Sequence, residues 1–148
     1  MAPMSTRVID LVPMAHVADV QRSVSFYELF GLKMRNNLKA ADGAWQWAYV
    51  ECEQAEIMFA RASGPIVASD QAVLFYLYSE DLVALREHLL TKGVEVSGVT
   101  YPNYMPKGEM RAQDPDGYVL LIGLALVALH FVEKPAQRVL RGWMHVWR

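Results

Sequence analysis

Two helical patterns in this chain carry the same punctuation, and the same 62-residue step separates Asp19 from Asp81 and Gly31 from Gly93. Each Asp opens a pattern, because its short side chain can accept a hydrogen bond from the first-turn amides. Each Gly closes one, supplying the left-handed residue past the last turn. Val20, Val24 and Tyr27, with Phe26 and Phe30 beside them, form the apolar face of the first helix; Leu82, Leu85 and Leu89 form that of the second. Each face needs a sheet to cover it.

On either side of these helices the apolar period switches from 3.6 to 2, the signature of strands. Strands are expected over 8–17 and 72–79 before the helices. Three more are expected after the first, near 32–38, 44–52 and 55–61, and three after the second, near 94–99, 108–113 and 118–124. The chain therefore reads as a duplication, strand-helix-strand-strand-strand twice, joined by a linker from Ser63 to Asp70. The class is α+β, with a curved mixed sheet under the helices.

At 148 residues and 53% hydrophobic content the chain can bury a full core, which places residues 1–124 in one domain, with modules at 8–61 and 72–124. A formal net charge of −2 offers no basic field for nucleic acid. Tyr118 to Leu129 is an apolar run of twelve residues, too short to span a bilayer, and no secretory pattern opens the chain, so no membrane partner is expected. The single Cys52 excludes an internal disulfide and suits a cytoplasmic location. Residues 125–148 lie outside the duplication. Pro135 could start a helix there with an apolar stripe of Val139, Trp143 and Val146 among Lys134, Arg138 and Arg141. Such a helix would pack on the body or on a second subunit, lie on a membrane surface, or be an appendage foreign to the fold.

The residues now support a resemblance. Val12-Pro-Met-Ala-His-Val-Ala-Asp19, then Arg22-Ser23, Phe26-Tyr27 and Leu29-Phe30-Gly31-Leu32, resemble the opening of the vicinal oxygen chelate superfamily, which includes glyoxalases, bleomycin and fosfomycin resistance proteins and extradiol dioxygenases. Gly108-Glu109-Met110-Arg111 followed by Asp114-Pro115-Asp116-Gly117 resembles its closing motifs. The resemblance implies two βαβββ modules curving into a cup, with a divalent metal held by His and Glu in the family's enzymes. The family's ligand positions fall here on Val12, Met58, Leu74 and Leu121. None offers the carboxylate, imidazole or thiolate that such an ion requires. No metal and no cofactor is therefore expected; an unconventional site using His16, Glu56 or Glu109 is the alternative.

Strand parity indicates what lines the cup. Asp10, Val12, Met14 and His16 should share its face, with Ile9, Leu11 and Val17 packing under the helices. Leu74, Tyr76 and Tyr78 should face the cup, and Val73, Phe75 and Leu77 the core. A hairpin turning at Glu53-Gln54 would set Tyr49 opposite Met58 and Trp47 opposite Ala60, turning Trp45, Trp47 and Tyr49 inward. Met14, His16, Trp45, Trp47, Tyr49, Met58 and Tyr76 then form a surface suited to a flat, largely apolar ligand, with Tyr104 and Arg111 as polar contacts. The competing reading is that these aromatics are plain core or a dimer interface. Asp114 and Asp116 read as turn residues. No Ser/His/Asp arrangement or Gly-rich phosphate loop is present.

The expected function is metal-independent binding of a small, largely apolar or aromatic molecule, a sequestration like that of the bleomycin-resistance branch, by a homodimer. Catalysis is left uncertain and disfavoured, with no catalytic residue named. The alternatives are a lyase, isomerase or dioxygenase of the same superfamily with relocated metal ligands, and a non-catalytic interaction module.

Overall fold

The computed structural model describes residues 6–125. Its elements are β1 (Met14–Val17), α1 (Val20–Glu28), β2 (Lys33–Lys39), β3 (Trp45–Cys52), β4 (Ala55–Arg61), a single 3-10 turn (Ala68–Asp70), β5 (Leu74–Ser79), α2 (Leu82–Thr91), β6 (Glu109–Gln113) and β7 (Val119–Leu124). The expected helical extension at 125–148 lies outside the described residues from 126 onward.

The caps act as their residue types dictate. Asp19 accepts the Arg22 amide at 3.0 Å, and Asp81 accepts the Ala84 amide at 2.9 Å. Gly31 and Gly93 take φ of 89° and 79°, and behind each the next residue's amide bonds back into the last helical turn, Leu32 to the Tyr27 carbonyl and Val94 to that of Leu89. Duplicated punctuation thus yields duplicated helix ends.

The described strands form two mixed sheets that do not pair with each other, one ordered β1-β4-β3-β2 and the other β5-β7-β6. In each, the first strand of the module runs parallel to the last, which the intervening helix makes sterically available. The β3–β4 register sets Tyr49 opposite Met58 and Trp47 opposite Ala60, as a turn at Glu53-Gln54 requires. Glu53 itself carries a positive φ of 42° at that turn.

One face of each sheet feeds a common core. Ala15, Val17, Ala48, Val50, Ile57 and Phe59 of the first sheet join Met110, Ala112, Leu120 and Ile122 of the second, together with Val20, Val24 and Tyr27 of α1 and Leu82 and Leu89 of α2. The opposite faces stay open.

Three sequence expectations are corrected. The first strand begins at Met14 rather than near residue 8, and Ile9 and Leu11 are 86% and 81% exposed instead of packing under the helices. Pro13 explains the early stop. Its carbonyl accepts the Met58 amide at 2.9 Å, but having no N–H it cannot make the next ladder bond, and the Leu11 amide turns instead to Asp10. The strand before α2 begins at Leu74, which leaves Val73 56% exposed rather than in the core. Residues 94–99 do not form a strand. Only the isolated bridges Val96 to Ala112 and Thr100 to Glu109 survive there, because the Ser97 hydroxyl accepts the Arg111 amide in place of a backbone carbonyl.

The turn before β7 joins the two modules. Asp114 Oδ1 accepts the amides of Asp116 and Tyr118, the local turn role expected of it. Its Oδ2 accepts the Tyr27 hydroxyl at 3.0 Å, while Asp116 Oδ1 accepts the Ala18 amide at 2.9 Å and lies 3.5 Å from Arg22. The Tyr118 hydroxyl donates to the His16 carbonyl at 2.9 Å. Gly117 is required at this junction: its φ is 90°, and a Cβ there would sit 2.5 Å from the Ala68 Cα.

Candidate functional site

The open face of the first sheet is laid out in rows by strand register. Met14, Met58, Tyr49 and Asn36 form one row; His16, Ala60, Trp47 and Leu38 form the next. Trp47 and Tyr49 meet edge to face with centroids 6.2 Å apart. Met14 and His16 are exposed, and Trp47, Tyr49 and Met58 half-buried. Trp45 is also half-buried. It sits beside a register shift at the strand end and packs against the core cluster.

Polar groups edge this surface. A register shift between Met34 and Asn36 brings Arg35 over the Tyr49 ring, 5.1 Å from its centroid, and within 3.2 Å of Glu51. Burial, reinforced by the Glu56 carboxylate, pushes the Tyr49 hydroxyl up to about 12, so it is a neutral donor at physiological pH. Period-2 reasoning missed Arg35, because a bulge changes which side chains share a face and leaves no pattern in the sequence.

The open face of the second sheet carries the rows Tyr76, Leu121, Arg111 and Tyr78, Gly123, Glu109. The Tyr76 and Tyr78 rings lie 5.2 Å apart. The Tyr76 hydroxyl donates to Glu109 Oε2, and the Tyr104 hydroxyl reaches Oε1 at 2.9 Å from the preceding loop. Glu109 is only 6% exposed. Burial and the Glu109 carboxylate hold the Tyr76 hydroxyl well above the usual phenol range, and the hydrogen bond to Glu109 raises that of Tyr104. Gly123 makes room above β7, since a Cβ there would lie 2.9 Å from Met105 Cε and 3.2 Å from Tyr76 Cε1. Glu109 shares the parity of Arg111, and Gly123 interrupts an apolar strand, the two sequence signals that point to this cluster.

The structure therefore gathers the expected contact residues into two groups, Met14, His16, Trp47, Tyr49 and Met58 on one sheet, and Tyr76, Tyr104 and Arg111 on the other. An open groove of about 650 Å³ lies between Phe26, the 93–97 segment and the 111–115 segment, and shares only Arg111 with that set.

The donor set does not fit a divalent metal. Val12, Leu74 and Leu121 carry hydrocarbon, and the Met58 thioether suits only soft ions. Among the described residues no three His, Cys, Asp or Glu side chains converge to hold an ion. Among them too, no helix is long and apolar enough to cross a membrane.

Solved structures with the same architecture include a bleomycin-binding protein complexed with bleomycin, 15% identical, covering 79% of this chain and 98% of that one with a TM-score of 0.63. The bleomycin-binding protein of Streptomyces verticillus, complexed with copper(II)-bleomycin, is 20% identical over 82% of this chain and 100% of that one, TM-score 0.60. The antibiotic-binding protein TnmS3 of Streptomyces sp. CB03234 is 21% identical over 81% and 99%, TM-score 0.59. At these identities the likeness establishes the fold. No curated protein matches the chain significantly. The model of the glyoxalase/bleomycin resistance protein/dioxygenase superfamily matches residues 12–122, and the chain belongs to that superfamily.

Proposed function

We propose that this protein binds a small, largely apolar or aromatic molecule on the open sheet faces and withholds it from solution without using a metal. The observation that carries this reading is the composition of those faces: Trp47, Tyr49 and Met58 on one and Tyr76 and Tyr78 on the other remain accessible, while hydrocarbon or a thioether occupies the positions where the superfamily's enzymes place ion ligands. Aromatic rings and a thioether bury a flat molecule by stacking and dispersion, and His16 and Arg111 supply directional polar contacts at the margins. The structural relatives described as bleomycin-binding and antibiotic-binding support sequestration as the mode of action.

A homodimer completes the reading. Met14, Leu38, Leu74 and Tyr78 are each more than half exposed, a large apolar surface for a lone chain. Pairing the open face of one module with that of a second copy would wall a ligand on both sides. In this reading residues 1–124 act as one domain, 125–148 as an extension, and the lone Cys52 suits the cytoplasm.

The test is a tryptophan-fluorescence titration in a Trp143→Phe, Trp147→Phe background, using a panel of aromatic compounds. Saturable quenching at micromolar concentration that disappears in Trp47→Ala is the expected result. A panel without any saturable quencher contradicts the reading.

A further inference from the structure

We propose that Glu109, capped by Tyr76 and Tyr104, is the anchor for a protonated amine, so that the molecule held on the second sheet is an aromatic cation. This rests on the ligand-binding reading above and specifies its chemistry.

A carboxylate that is 6% exposed needs charge compensation, since burying an ion without a counter-charge is costly. Its partners here are two neutral phenols. Arg111 stands one pleat away on the same strand and face, yet it stays exposed and forms no ion pair with another described residue; Lys107, in the loop, is likewise exposed. The fold therefore places a buried negative charge beneath two tyrosines and gives it two hydroxyl donors, while Arg111 and Lys107 stay in water.

The surroundings suit an organic cation. Tyr76 and Tyr78 present adjacent rings beside the carboxylate, and such rings attract ammonium groups through their negative faces. Gly123 separates Tyr78 from Glu109 in their row, so no side chain of β7 fills the space between them. That space is now occupied by Met105 from the loop, an unbranched side chain that can swing aside. Tyr104 is 70% exposed, so its hydroxyl can give up Oε1 to an N⁺–H donor, which makes the stronger charge-assisted bond, while Tyr76 keeps its place on Oε2.

Calorimetric titration of the full chain with phenethylammonium, 2-phenylethanol and phenylacetate tests this. The ammonium should bind about ten- to hundredfold more tightly than the alcohol, and the carboxylate more weakly than either. Glu109→Gln should erase the preference, bringing the ammonium down to the affinity of the alcohol. Tyr104→Phe, an exposed change that removes the competing donor, should keep or tighten ammonium binding; it carries the test if Glu109→Gln does not fold. Equal affinity of ammonium and alcohol for the wild-type chain would overturn the anchor but leave aromatic binding standing, whereas failure of all three compounds would remove both. Loss of ammonium binding in Tyr104→Phe would also overturn it.

Discussion

The Tyr27 hydroxyl donates to Asp114 Oδ2 across 3.0 Å, and through this bond the first helix of one module holds the last turn of the other. Both residues are buried. Two separate sheets thereby share one core and present their open faces in a fixed relation, so the geometry of the proposed binding surface depends on a pair that lies on the far side of the sheets from it.

Removing that hydroxyl leaves a buried carboxylate oxygen without its donor. Tyr27→Phe should lower stability by about 1–3 kcal/mol while preserving the ring packing against Phe59. Urea unfolding checks it; an unchanged midpoint would mean the modules are held together otherwise.

Burial holds the Asp114 carboxyl above the ordinary aspartate range, against the lowering effect of hydrogen bonds from Tyr118, Tyr27 and Asp116. A group whose proton is held more tightly in the folded state contributes most at low pH and loses that contribution as pH rises through the folded value. Asp114→Asn abolishes this titration. Its stability relative to wild type should therefore improve as pH rises above the ordinary aspartate value of about 4, and level off once the folded carboxyl has ionised. Parallel profiles would contradict the assignment.

Gly117 and Gly93 have similar positive φ but different surroundings. A Cβ at Gly93 meets nothing within 4 Å, whereas one at Gly117 strikes the Ala68 backbone at 2.5 Å. Gly93→Ala should cost only the left-handed strain, about 1 kcal/mol. Gly117→Ala should cost several times as much or prevent folding, as measured by thermal denaturation.

Pro13 ends β1 for want of a donor, so supplying one should lengthen the strand. In Pro13→Ala the new amide can donate toward Glu56 and should show slowed hydrogen exchange relative to that of Leu11. Equally fast exchange at both would mean that Asp10, rather than Pro13, turns the chain away.

Much of this was legible because local chemistry decided it. Asp19, Asp81, Gly31 and Gly93 fix helix ends through bonds made within one turn, and the Glu53-Gln54 hairpin fixes which residues of β3 and β4 oppose each other. What escaped depends on long-range or irregular contacts. Asp114 reads correctly as a turn former and Asp116 sits in that turn, yet their bonds to Tyr27 and Ala18 cross 87 and 98 residues of sequence. Ser97 replaces a ladder bond with its hydroxyl, Arg35 reaches the aromatic face through a register shift, and a second shift lies beside Trp45 at the strand end. Alternation continues to favour a strand or a common face at each of these places, and only tertiary contacts override it.

In the proposed function, aromatic walls hold a ligand where the superfamily's enzymes hold an ion. The direct test is to repeat the fluorescence titration on protein dialysed against excess EDTA, with elemental analysis of the same sample before chelation. The account predicts an unchanged dissociation constant and no stoichiometric nickel, zinc, manganese or iron; a stoichiometric metal whose removal abolishes binding would contradict it.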